Sequence, residues 1–189
     1  MRNRSGNKVS VTLIRHGETE GNRLRRYIGA TDEDICDTVC FTGDYGDCDV
    51  LISSPMKRCL KSAEHIYPEK IPVICEKLRE CDFGDFENKS YEDLKDNADY
   101  IKWVESGCET KIPNGESKSE LTARSVEGFF ETLPKRGSVS YVIHGGNIMA
   151  IMQTIFGGDF YDYHVKNGGG FKFVLEDRKA NDFSAIYID

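Results

Sequence analysis

Two histidines in this chain each end an apolar run and open onto glycine: Arg15-His16-Gly17 after residues 9–14, and His144-Gly145-Gly146 after residues 139–143. Val9, Val11, Leu13 and Ile14 read as a buried strand, which Gly17 breaks just past a charged pair. A neutral imidazole nitrogen is a nucleophile near pH 7 when its other nitrogen is held as a donor. An arginine beside it offers a forked donor for an anion. Two strand-then-histidine units can meet at one edge of one sheet, which is where open α/β sheets bind ligands. The Glu18-Thr19-Glu20 run is expected to open a helical turn whose N–H groups face that anion. Each residue taken singly has a plainer structural reading: Arg58 as a solvated surface arginine, His144 as a hydrogen-bonded core histidine.

The elements that must position these groups alternate between strand and helix. Strands are expected at 49–54, 72–75 and 138–143, with a hairpin-like pair near 170–175 and 184–188. Pro55 is expected at the first helical position behind a serine cap, opening a helix to residue 66 with Cys59, Leu60, Ala63 and Ile66 on one face. A polar helix or turn over 18–26 follows the first strand. Two short helices over 91–97 and 99–106 form an insert over the sheet edge. The helix 117–133 presents Leu121, Val126, Phe129, Phe130 and Leu133 as its buried side, and a last helix covers 147–156. Residues 32–49 hold seven acidic residues, three cysteines and two glycines with no clear period, so they are expected to be irregular and solvated. Strands separated by helices require an α/β fold, a mostly parallel central sheet covered on both faces in three α/β/α layers. No repeat or linker divides the chain, which reads as a single domain over 1–189.

At 189 residues one core buries roughly 70% of the unfolded surface without metals or disulfides. The 25 basic and 32 acidic residues leave a net charge of −7, which argues against nucleic acid or an anionic membrane as partner. Yet residues 1–29 hold seven Arg or Lys against Glu18 and Glu20. A local positive site in an acidic chain suits a small anionic substrate. The seven cysteines lack any Cys-x-x-Cys pair, fitting neither a zinc site nor a disulfide framework and pointing to reduced thiols in the cytoplasm. Residues 1–8 are polar, without the apolar core of a signal peptide.

Arg15-His16-Gly17-Glu18-Thr19 with Asn22, Ser53-Ser54-Pro55-x-x-Arg58, Leu78-x-Glu80-x-x-x-Gly84 and His144-Gly145-Gly146 together resemble the histidine phosphatase, or phosphoglycerate mutase-like, superfamily. The resemblance implies a phosphatase in which His16 takes the phosphoryl group, with no metal and no cofactor. It implies Glu80 as general acid, with Asp82 and Asp85 as rivals. Chemistry accounts for the rest of the set, since phosphoryl transfer asks the protein mainly to position and to stabilise charge on the equatorial oxygens. Arg15, Arg58 and His144 supply donors, joined by the Asn22 amide and the N–H groups near Gly17 and Gly145.

The stretches Arg25-Arg26-Tyr27-Ile28-Gly29-x-Thr31-Asp32, Arg79-Glu80-x-Asp82-Phe83-Gly84-Asp85-Phe86-Glu87 and Pro113-Asn114-Gly115-Glu116-Ser117 are most similar to the α-ribazole phosphatase branch. That adds Arg25 and Arg26 to the expected substrate contacts. It makes α-ribazole 5'-phosphate the leading substrate, a broad-specificity phosphatase the alternative, and mutase-type transfer or a non-catalytic phosphoryl-binding module less favoured. The resemblance also implies a full helix between residues 32 and 49, where this chain has the acidic, glycine-broken run instead.

Overall fold

The structure, a computed structural model, describes residues 7–188; Arg2, Arg4 and most of the polar N-terminal stretch lie outside the described residues. Strands β1 (Lys8–Arg15), β2 (Val50–Ser53), β3 (Val73–Ile74), β4 (Gly137–Ile143), β5 (Gly170–Glu176) and β6 (Phe183–Ile186) form one sheet in the order β3-β2-β4-β1-β5-β6. The first four run parallel, while β5 and β6 are antiparallel to their neighbours. The expected mostly parallel sheet is therefore present, with an antiparallel margin made by the hairpin-like pair.

β1 and β4 sit at the centre, and their C-terminal ends are covered on both faces, which is why Leu13-Ile14 and Tyr141-Val142-Ile143 are apolar at consecutive positions while Ser10 and Thr12 alternate with Val9 and Val11. On one face Leu13, Val139, Tyr141 and Ile143 pack with Phe129 of helix α5 (Lys118–Thr132) and Ile148 and Ile151 of α6 (Gly145–Phe156). On the other, Ile14, Leu51 and Val142 pack with Cys59 and Ala63 of α2 (Lys57–Ile66). These are the three layers. A separate cluster of Phe86, Leu94, Tyr100, Trp103 and Ile112 belongs to the insert with its short helices α3 (Tyr91–Leu94) and α4 (Ala98–Glu105).

Several local expectations shift. Helix α2 starts at Lys57, capped by Met56 with no side-chain hydrogen bond, so Pro55 lies before the helix, and the Ser54 hydroxyl accepts only weakly from the Met56 N–H at 3.4 Å while also meeting His144. Helix α6 starts at Gly145, two residues earlier than periodicity suggests, because apolar period cannot register glycines in a first turn. α5 buries Leu121, Ser125, Gly128 and Phe129, a stripe with two small residues that a search for large apolar side chains passes over; Val126 is only half-buried. Segment 32–49 is irregular as expected but not wholly solvated. Tyr45 and Cys48 are buried against α2, and Val39 and Phe41 lie over Gly17.

Candidate functional site

The register of the central strands places Arg15 beside Ile143, so the residues that follow, His16 and His144, emerge side by side. Their ring centroids are 5.1 Å apart, and both rings are buried. The His16 backbone N–H donates to the Ile143 carbonyl at 3.0 Å. Its Nδ1 lies 2.7 Å from the Gly17 carbonyl oxygen; a carbonyl only accepts, so Nδ1 carries the proton and Nε2 the lone pair.

Arg58 is fully buried and donates in three directions. Nε reaches His144 Nδ1 at 3.2 Å, Nη1 the Thr31 carbonyl at 2.8 Å, and Nη2 the Gly29 carbonyl at 2.9 Å. Because arginine cannot accept, His144 Nδ1 must, which puts the His144 proton on Nε2, 2.8 Å from Ser54 Oγ. Arg15 donates through Nη1 to the Val165 carbonyl at 2.7 Å, while its Nε is buried without a partner among the described residues. An orphaned guanidinium N–H beside a nucleophilic imidazole is where an anion recovers the most energy.

Next to Arg15 and Gly145 opens a cavity of about 330 Å³. Its walls are aromatic (Tyr27, Phe83, Trp103, Phe160 and Tyr161), and Glu80 is among its few carboxylates. Glu80 accepts from the Cys81 N–H at 2.9 Å and weakly from the Gly146 N–H at 3.4 Å. Asp82 and Asp85 do not line it; they accept from the Gly84 N–H and the Asn114 side chain respectively. Glu116 does line it, but its carboxylate is taken by Arg124 and the Asp82 N–H.

Three expected roles change at this level, and a fourth, that of the Asn22 amide, is narrowed. The Gly17 N–H donates to Ser62 Oγ at 2.8 Å and is not free for an anion. The first turn of α1 (Glu20–Arg23) is also occupied: the Thr19 N–H goes to Asn22 Oδ1 and the Gly21 N–H to Glu33. Asn22 spends its oxygen on Thr19 and on Asn167 Nδ2, so only Nδ2 remains to donate. Arg26 is exposed, 3.4 Å from Asn88 Oδ1, and lines neither this cavity nor the groove that Arg25 lines. Gly146 makes room for a protein group: a Cβ there would lie 2.4 Å from Glu80 Oε1.

Comparison with known proteins bears on this geometry. A family model described as "Histidine phosphatase superfamily (branch 1)" matches residues 43–180, a span that holds Arg58, Glu80 and His144. The chain belongs to the histidine phosphatase superfamily. It is 32% identical over 164 residues to the "Uncharacterized phosphatase PhoE" of Bacillus subtilis, covering 80% of this chain and 79% of that one. It is 28% identical over 188 residues to "Phosphoserine phosphatase 1" of Hydrogenobacter thermophilus, covering 90% and 89%. Its fold superposes on the α-ribazole phosphatase of Shigella flexneri with a TM-score of 0.74 at 20% identity, covering 90% of this chain and 93% of that one. Family membership and relatives named as phosphatases make this chain a phosphatase.

Sequence reading missed the residues that hold this histidine phosphatase site in shape. Ser54 and Ser62 meet His144 and Gly17 from α2 and its approach. Asn167 ties the His16 carbonyl to Asn22 from about 150 positions away. The Gly29 and Thr31 carbonyls anchor Arg58. Ser54, Gly29 and Thr31 stand inside the motifs quoted above, but the roles of all five residues carry no spacing signal, because each contact joins distant segments of the chain. Gly29 is the tightest of these points: an added Cβ would lie 1.7 Å from the Cys81 carbonyl oxygen. Gly29→Ala is expected to destabilise the fold by about 1–3 kcal/mol in urea unfolding, the usual cost of overpacking. Unchanged stability would show that the 80–87 loop yields freely. Among the described residues no group of three or more His, Cys, Asp or Glu side chains is arranged to hold a metal.

Both histidines are held below the ordinary imidazole range. For His16 the cause is burial, then the charges of Arg58 and Arg15, opposed by the Gly17 carbonyl. For His144 it is burial, then Arg58, His16, Arg15 and Arg124. The unfolded chain therefore takes up protons near the ordinary imidazole value of 6.5 while the folded chain does not. The stability these groups contribute is present above that pH and is lost as pH falls below it, by about 1.4 kcal/mol per pH unit for each. The melting temperature of the wild type is expected to fall more steeply between pH 7 and pH 5 than that of His144→Gln. Parallel slopes would refute it.

Proposed function

We propose that this chain is a phosphomonoesterase, working as one domain on a small phosphorylated metabolite through a phosphohistidine at His16, without metal or cofactor. The observation that carries the reading is the tautomer: the Gly17 carbonyl holds the proton on Nδ1, leaving the Nε2 lone pair for phosphorus, with Arg15, Arg58 and His144 around it. In the first step Nε2 bonds to phosphorus, the ester P–O bond breaks, and protonated Glu80 gives its proton to the leaving alkoxide. In the second, water attacks the phosphohistidine, Glu80 takes a proton from it, and phosphate leaves with Nε2 restored. Lysine-rich nucleic-acid surfaces and membranes have no part in this chemistry. No helix among the described residues is long and apolar enough to cross a membrane. The cysteines stand as free thiols, which a reducing cytoplasm maintains.

For the substrate, the aromatic cavity favours a leaving group with a flat apolar part. α-Ribazole 5'-phosphate meets that description, whereas a serine side of a phosphoserine leaves most of a 330 Å³ cavity unfilled and its charges facing aromatic walls. The test is kcat/KM across α-ribazole 5'-phosphate, O-phosphoserine, sugar phosphates and 3-phosphoglycerate. A lead of more than about tenfold, ~1.4 kcal/mol, for α-ribazole 5'-phosphate supports the assignment. Values within that factor make the enzyme a generalist, and a lead for O-phosphoserine would overturn the aromatic reading.

A further inference from the structure

The same centre opens on a second side. A groove of about 720 Å³ shares Arg15 and His164 with the aromatic cavity, and it is bounded by Arg23, Arg25 and Lys166 on one hand and Thr38 and Cys40 on the other. Its charge is opposite to that of the molecule. Four arginine or lysine side chains face one carboxylate, Glu18, in a chain of net charge −7. Glu18 is already spent on Arg23 at 2.8 Å, and Arg23 also donates to Thr38. Arg25 and Lys166 form no ion pair or side-chain hydrogen bond among the described residues, and Arg15 Nε is the buried orphan donor described above.

Three further observations show the groove to be built. Arg25 adopts a φ of +53°, a left-handed conformation that costs a non-glycine residue energy and that sets where its side chain leaves the chain after α1. Lys166 stands in the turn that Asn167 ties to the His16 carbonyl, so this cation is placed relative to the nucleophile. The opposite wall is the irregular 32–49 segment, whose Val39 and Phe41 rest on Gly17. The run that stands where relatives are expected to have a helix therefore brings Thr38 and Cys40 to the groove.

We propose that this groove is a second anion subsite, taking a phosphate-type anion beside the one at His16. That anion is carried either at the far end of a bisphosphorylated substrate or on a free polyphosphate that occupies both positions and inhibits. The inference rests on the phosphohistidine reading for its substrate arm only, since binding needs no turnover. Exposed cations give an attraction that salt screens over about 10 Å at 0.1 M, so the effect is read at low ionic strength.

The experiment compares wild type with Lys166→Glu and Thr38→Glu, both exposed positions. Tripolyphosphate and orthophosphate are tested as competitive inhibitors of p-nitrophenyl phosphate hydrolysis, and hexane-1,6-diol bisphosphate is compared with hexyl phosphate by kcat/KM. In wild type tripolyphosphate is expected to inhibit roughly tenfold more tightly than orthophosphate at low salt, with the preference shrinking as salt rises and collapsing in both variants. A matching preference for the bisphosphate ester identifies the source as the substrate; tripolyphosphate inhibition without it identifies a free effector. Equal inhibition by the two anions in wild type, or a preference that survives both charge changes, would overturn the subsite. So would a loss of orthophosphate affinity as large as that of tripolyphosphate, because it would assign the groove to the first phosphate. Calorimetric titration of His16→Ala with tripolyphosphate reads the subsite without catalysis, so a failed phosphohistidine and a failed groove give different results.

Discussion

His16→Ala is expected to lower phosphatase turnover by roughly 10⁴-fold or more, because it removes the atom that bonds to phosphorus and leaves only positioning. Rapid quenching of the wild type during turnover is expected to trap a phosphoenzyme that is stable in base and labile in acid, as a phosphorus–nitrogen bond to imidazole is. The structure gives the reason to look at this residue and not at His144. The two rings lie 5.1 Å apart, but both nitrogens of His144 are engaged, by Arg58 and by Ser54, whereas His16 has one engaged nitrogen at Gly17. A His16→Ala protein with full activity, or a phosphoenzyme that survives acid and not base, would end the covalent proposal.

Glu80→Gln is expected to slow alkyl phosphate hydrolysis by roughly 10²–10⁴-fold while costing p-nitrophenyl phosphate much less. The aryl ester leaves as a stabilised phenolate that needs little protonation, while an alkyl ester leaves as a strongly basic alkoxide. The glutamine keeps the shape and loses the proton. Glu80 is held for this part by its surroundings: Arg124 donates to the backbone carbonyls of Lys77, Arg79 and Glu80 and pairs with Glu116 at 2.6 Å, while Gly146 leaves space for the carboxylate. The comparison is made in single turnovers, so that slow hydrolysis of the phosphoenzyme does not mask it. Equal losses on both substrates would remove Glu80 as the acid. Asp82 and Asp85 would then be tested the same way, although neither lines the cavity.

What the amino-acid sequence determined by itself was the set of parts. An apolar run followed by Arg15-His16-Gly17, and another followed by His144-Gly145-Gly146, is a local pattern that survives in one dimension, because strand period and glycine breaks act between neighbours. The alternation of strands and helices likewise dictated a covered, mostly parallel sheet. The tertiary structure decided which donors remain open. Gly17 and the first turn of α1 looked like anion ligands, yet Asn22 takes one N–H group from within that turn, and Ser62 and Glu33 take the others from segments that fold back onto it. It also decided which of three nearby carboxylates lines the aromatic cavity, since the half-buried Glu80 reaches it only because an insert, α5 and the turn before β5 meet at one edge. Contacts of this kind depend on how segments 45 to 150 residues apart pack together, and no periodicity within either segment records them.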